Sequence, residues 1–137
     1  CHLRGLAVAL DVVYNHFGPE GNVFPAFGEY LTERYKTDWG PALNYDGRGS
    51  DAVRSMVQQN VRMWIKDYHI DVLRFDAADQ IYDRGPSPIL SELAEVAQER
   101  IEGVAAIDRP NGGALDQDAG LLDGGAAVAR DDVAVGK

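Results

Sequence analysis

The chain carries a single cysteine, Cys1, in 137 residues. One thiol excludes an internal disulfide and fits a reducing compartment. Basic residues are few: 13 Lys and Arg stand against 22 Asp and Glu, for a formal net charge of -9. With no basic cluster to neutralise phosphates, the composition argues against a nucleic-acid partner. No apolar run approaches the ~20 residues of a membrane span, so no membrane partner is expected. The opening Cys1-His2-Leu3-Arg4-Gly5 has neither an initiating Met nor a cleavable apolar stretch, and it reads as the interior of a longer protein. No internal repeat is present.

What remains is one domain's length of ordinary globular composition. Leu6 to Val13 is nearly continuous apolar sequence, the form of a parallel strand covered on both faces. Asp11 interrupts it. Either it is a buried structural Asp bonded to backbone N–H groups, or it serves a site. Tyr14, Asn15 and His16 leave the end of this strand. Residues 17–49 read as a long irregular connection, broken by Pro19, Pro25, Pro41 and several glycines. Its aromatics (Phe17, Phe24, Phe27, Tyr30, Tyr35, Trp39, Tyr45) argue against disorder. Most suit a small core of the loop's own, and a minority suit a platform for a sugar ring.

Ser50 is the expected N-cap of a helix, with Asp51 favourable in its first turn. Val53, Met56, Val57, Val61, Trp64, Ile65 and Tyr68 recur at helical spacing, and this stripe reads as core. His69, at the helix exit, reads as structural. A second strand follows, Ile70 to Phe75, giving a right-handed βαβ unit. A further helix is expected from Ile89 to about Ile101, with Leu90, Leu93, Ala94, Ala97 and Ile101 on one face. Residues 103–137 are Ala-, Gly-, Asp- and Val-rich without an aromatic, and read as a disordered tail apart from the domain at 1–102.

The second strand carries Arg74 and Asp76 two residues apart, so both side chains point the same way. From spacing alone this is either a structural ion pair or a carboxylate held ionised and aimed by a guanidinium, as a nucleophile requires. Strand ends collect the polar residues: Asp11, Asn15 and His16 after the first, Arg74, Asp76 and Asp79 around the second. Parallel α/β folds bind ligands at those ends, which favours the functional reading.

Asp11-Val12-Val13-Tyr14-Asn15-His16 and Leu73-Arg74-Phe75-Asp76-Ala77 resemble the first and second signature regions of the α-amylase superfamily of glycoside hydrolases. Residues 16–22, 34–42, 44–47 and 83–95 are similar to the malto-oligosyltrehalose trehalohydrolase family within it. The resemblance covers about residues 3–101. It implies an α/β fold, a fragment of a TIM (β/α)8 barrel with about two parallel strands, two helices and a long loop. It implies a retaining hydrolase acting on an α-1,4-glucan, malto-oligosyltrehalose, and releasing trehalose. By the same resemblance Asp76 is the catalytic nucleophile and Arg74 orients it. His16 binds the reacting glucose, and Asp11 supports the site. Asn15 falls where many amylases bind calcium. Trehalohydrolases work without that ion, so no metal and no cofactor is expected. The resemblance also implies a cytoplasmic enzyme.

The departures are specific. Val72 stands where the family has Gly, and Asp79 where it often has His. Asp79 either replaces that His in a sugar contact or faces solvent. The general acid and a third carboxylate are not recognisable. Glu92, Glu95 and Glu99 fall on the helix after the nucleophile strand, facing away from the strand ends, and Asp116, Asp118 and Asp123 have no strand context. The rival readings are a glycogen branching or debranching enzyme of the same superfamily, and a glucan-binding remnant without chemistry.

Overall fold

A computed structural model describes residues 1–104 and 127–130. Strand β1 is Ala9–Val13, β2 Leu31–Thr37 and β3 Gly40–Leu43. Helix α1 is Ser50–Lys66, β4 is Val72–Asp76, α2 is Ile89–Val104 and β5 is Ala127–Arg130. Strands β1 and β4 pair in parallel, with Asp11 beside Arg74 and Val13 beside Asp76. Strand β5 pairs in parallel on the other side of β4. The order β1-α1-β4-α2-β5 therefore repeats strand and helix, as α/β sheets do.

Alternation along the strands sorts their side chains. Val12, Leu73 and Phe75 are buried, with Leu10 packed beside them. They join Val53, Val57, Val61 and Ile65 of α1 and Ile89, Leu93, Val96 and Ala97 of α2 in one core. The opposite face carries Ala9, Asp11, Val13, Val72, Arg74 and Asp76. On β1 it is open: Val13 is 46% exposed and the Asp11 side chain 56%. The first strand is thus covered on one face only among the described residues. Asp11 is not buried, and it meets a side chain rather than a turn's N–H groups.

The segment 17–49 is more regular than its prolines and glycines suggest. Strands β2 and β3 form an antiparallel hairpin with a register shift between Thr32 and Lys36. Its tight turn is permitted by Gly40 at φ 134, which a side-chain-bearing residue rarely adopts. The expected small core of aromatics is present: Phe17 stacks on Phe24, and Phe24 packs on Tyr30. Tyr45 is buried in the main core, with its hydroxyl donating to the Tyr14 carbonyl at 2.7 Å. Burial pushes the Tyr14 and Tyr45 phenols well above the usual tyrosine range.

Helix α1 starts one residue earlier than its best capping side chain would place it. The N-cap is Gly49 in the left-handed region, and Ser50 is the first helical residue. Tyr68 lies beyond the last turn and is 61% exposed, so it leaves the apolar stripe. His69 adopts φ 57 and turns the chain into β4. On α2 the buried face is Ile89, Leu93, Val96 and Ala97. Val96 takes the place expected of Leu90 and Ala94, which sit half-buried at the margin. The side chain of Ile101 lies outside the described residues. So does most of the tail read as disordered, except that α2 runs to Val104 and β5 lies within it.

An ion-pair cluster ties the helices together. The Arg54 guanidinium donates to Asp83 at 2.7 Å and to the Tyr45 carbonyl at 2.7 Å, and it pairs with Glu92 at 2.6 Å. Asp83 in turn accepts the backbone N–H of Ile89, which caps α2.

Candidate active site at the strand ends

The parallel register brings one guanidinium between two carboxylates. Arg74 Nη1 lies 2.5 Å from Asp11 Oδ2 and 3.4 Å from Asp76 Oδ1. Asp11 reaches it across the ladder, and Asp76 reaches it along the same strand. The Asp76 side chain is 48% exposed, on the open face of the sheet. A carboxyl group that is exposed and aimed by a neighbouring guanidinium is available to attack or to bind a cation-like centre.

Beyond β1 the chain does not simply wander off. Asn15 is 1% exposed, and its amide donates to the carbonyls of Ala77 at 3.1 Å and Asp76 at 3.4 Å. Its carbonyl oxygen lies 2.5 Å from His16 Nδ1. The Asn15 backbone carbonyl accepts from Leu43 N, and His16 bridges to Ala42. The hairpin is therefore knitted to the end of β1. Its turn also meets the turn after β4: Asp38 N donates to Gln80 Oε1, and Gln80 Nε2 donates back to Asp38 Oδ2.

This docking places Trp39 over His16, with ring centroids 5.1 Å apart and planes 18° from parallel. Trp39 keeps 48% of its surface exposed. A half-open indole beside an imidazole suits a flat, partly apolar ligand. Among the aromatics of the long connection, sequence reasoning had not singled out Trp39. The signal was its place in a two-residue turn, Asp38-Trp39, ahead of Gly40. The Asp38–Gln80 latch had no signal at all.

Asp79 lies in the single 3-10 turn after β4 and is exposed. Glu92 sits on the helix side, where Arg54 and Gln58 engage it. Glu95 is exposed on α2, and the side chains of Glu99, Asp116, Asp118 and Asp123 lie outside the described residues. No group of three or more His, Cys, Asp or Glu able to hold a metal occurs among the described residues.

No family model matches the chain. It is 50% identical over 95 residues to the malto-oligosyltrehalose trehalohydrolase of Saccharolobus solfataricus, covering 69% of this chain and 17% of the relative. The Arthrobacter ramosus enzyme of the same name is 50% identical over 94 residues, 69% of this chain and 16% of that one. Over this stretch the chain is a homologue of the malto-oligosyltrehalose trehalohydrolases. It spans about one sixth of their length. Among solved structures, an alpha-amylase-type protein of Salmonella typhimurium superposes with a TM-score of 0.67 at 35% identity, over 94% of this chain and 18% of that one. A pullulanase from Anoxybacillus sp. superposes with a TM-score of 0.54 at 25% identity, over 71% and 14%. Over this stretch the chain is similar in fold and sequence to both. No helix among the described residues is long and apolar enough to cross a membrane.

Proposed function

We propose that this chain is one segment of a retaining glycoside hydrolase, built on a (β/α)8 barrel, that cleaves the α-1,4 bond next to the terminal trehalose of malto-oligosyltrehalose. Strands β1 and β4 are neighbouring barrel strands in this reading, and their open face looks into the barrel. Asp76 attacks the anomeric carbon. Arg74 aims it, and Asp11 holds Arg74 from the other side. His16 contacts a hydroxyl of the reacting glucose, and Trp39 backs the imidazole. Asp79 contributes a sugar contact at the rim. A retaining mechanism also needs a protonated carboxyl about 5–5.5 Å from the nucleophile, which in this reading comes from the remaining barrel. The reading places the enzyme in the cytoplasm, in keeping with a single thiol.

One observation carries this proposal. The Asp11–Arg74–Asp76 cluster lies on the open face of the β1–β4 pair, with Asp76 the last residue of β4, in a segment 50% identical to a trehalohydrolase. The test is a graft. The matched segment of the Saccharolobus solfataricus enzyme is replaced by this chain's, and products from malto-oligosyltrehalose are analysed. Trehalose release that disappears on Asp76→Asn supports the proposal. A graft that folds by circular dichroism but releases no trehalose sinks it. Altered branch content from glycogen would favour a branching or debranching enzyme instead.

A further inference from the structure

Asn15 uses both ends of its amide inside the protein, and the partners fix which end is which. On one side lie the carbonyls of Asp76 and Ala77, which can only accept. The NH2 group must therefore face them. The amide oxygen then faces His16 Nδ1 at 2.5 Å. Two acceptors cannot meet at that distance, so Nδ1 carries a proton and donates it to Asn15. A neutral imidazole protonated at Nδ1 presents a lone pair at Nε2. That nitrogen has no hydrogen-bond partner among the described residues, while Trp39 stacks on the ring.

The other end of the same amide acts on the nucleophile strand. Ala77 follows Asp76 directly and adopts φ 47 and ψ 47. A left-handed alanine costs roughly 1–2 kcal/mol and persists only where its surroundings hold it. Asn15 bonds the two carbonyls that flank the left-handed Ala77, Ala77's own and that of Asp76. It thus braces the bend that ends β4 and sets where the Asp76 backbone stops.

We infer that Asn15 is a positioning residue that performs two tasks with one buried amide: it braces the turn behind Asp76, and it makes His16 a hydrogen-bond acceptor at Nε2. At 1% exposure Asn15 touches no substrate itself. The inference rests on the proposed roles of His16 and Asp76. It adds the polarity of the sugar contact: a substrate hydroxyl donates to His16 rather than accepting from it.

The experiment uses the protein at its natural length, labelled with 15N-histidine and studied by NMR near neutral pH. The unsubstituted protein is expected to show His16 protonated at Nδ1 and bare at Nε2. This reading needs no variant to fold. His16 protonated at Nε2 alone would overturn the inference. Two variants then separate the tasks. Asn15→Ala is expected to abolish the tautomer preference and to lower kcat about 10- to 100-fold, as loss of an orienting partner does. Asn15→Asp keeps an oxygen at Nδ1 but turns a second one onto the two carbonyls. It is expected to keep the Nδ1 proton while kcat still falls. Unchanged kcat in both folded variants overturns the bracing task. Absence of trehalose release in the unsubstituted protein, with the proton on Nδ1, would overturn the proposed reaction and still support the assignment of His16.

Discussion

Asp11 on β1 and Arg74 on β4 are register partners, and their side chains meet at 2.5 Å on the open face of the sheet. The residues lie 63 positions apart, so only the parallel pairing of the strands brings them together. With Asp76 3.4 Å away along its own strand, Arg74 has two anionic neighbours, and the shorter contact to Asp11 holds it where it can aim Asp76 in the proposed role.

A double-mutant cycle of Asp11→Asn and Arg74→Lys tests this arrangement. Both side chains are more than one-third exposed here, at 56% and 37%. In the 137-residue chain their coupling is expected within the ~0–1 kcal/mol of surface pairs. In the protein at its natural length, if the proposed barrel closes over this face, it is expected to exceed that range. Equal coupling in both contexts would mean that this face is not covered. In the active graft, Asp11→Asn is expected to lower kcat about tenfold, and Asp76→Asn about 10⁴-fold or more.

The Arg54 cluster is expected to govern stability rather than catalysis. Its side chain is 14% exposed and that of Asp83 only 3%. Arg54→Met would leave Asp83 charged, buried and without its cation. Breaking such a pair costs about 3–5 kcal/mol. Glu92→Gln keeps a hydrogen-bonding partner at a more open position and is expected to cost about 1 kcal/mol. Urea denaturation of the two variants checks the order; a smaller loss for Arg54→Met than for Glu92→Gln would contradict it.

Much of the scaffold was legible in the sequence. The 3.6-residue period of Val53, Val57, Val61 and Ile65 marks α1, and the short apolar runs around Val12 and Phe75 mark β1 and β4. Arg74 and Asp76 were legible as a pair because strand alternation is strict. The hairpin was not. Leu31–Thr37 mixes apolar and charged residues around a bulge, and Gly40-Pro41 suggests a break where β3 in fact begins. The contacts of Asn15 were invisible for a different reason. A buried amide bonding carbonyls 61 and 62 residues away leaves no local pattern. The exposure of Asp11 also escaped notice, because an apolar run looks the same whether one face or both are covered.

Acid sensitivity follows from two carboxyls. The Arg54 guanidinium, donating to Glu92, holds that carboxyl below its ordinary value of 4.5, against the opposing effect of burial. For Asp46, burial is the largest influence and pushes its carboxyl up. The Tyr35 hydroxyl, the Arg84 N–H and the charges of Arg34 and Arg84 together outweigh it and leave it low. A folded-state value below the unfolded one means that the unfolded chain binds more protons as pH falls through that interval. The stabilisation is therefore complete above about pH 5 and drains away as pH drops through the folded values. Denaturation midpoints measured from pH 7 to pH 3 are expected to fall most steeply in the unsubstituted chain. Glu92→Gln is expected to start lower at pH 7 and decline less. A steeper decline in that variant would reverse the sign and refute the assignment.

The stacking of Trp39 on His16 separates binding from folding. Trp39 is half exposed at a hairpin turn, and its ring contact is to a single imidazole. Truncation there removes little core, so Trp39→Ala is expected to shift stability by less than about 1 kcal/mol, as surface changes do. If the indole backs the sugar contact, the loss falls on substrate binding, about 10-fold in KM with kcat nearly kept, because stacking acts on ground and transition state alike. Trp39→Phe should recover most of the affinity by restoring a ring over His16. The Asp38–Gln80 latch gives a matched control, since Gln80→Ala loosens the turn while keeping the indole. A loss in Gln80→Ala as large as that in Trp39→Ala would mean that the hairpin's position, and not the aromatic face, is what the substrate requires.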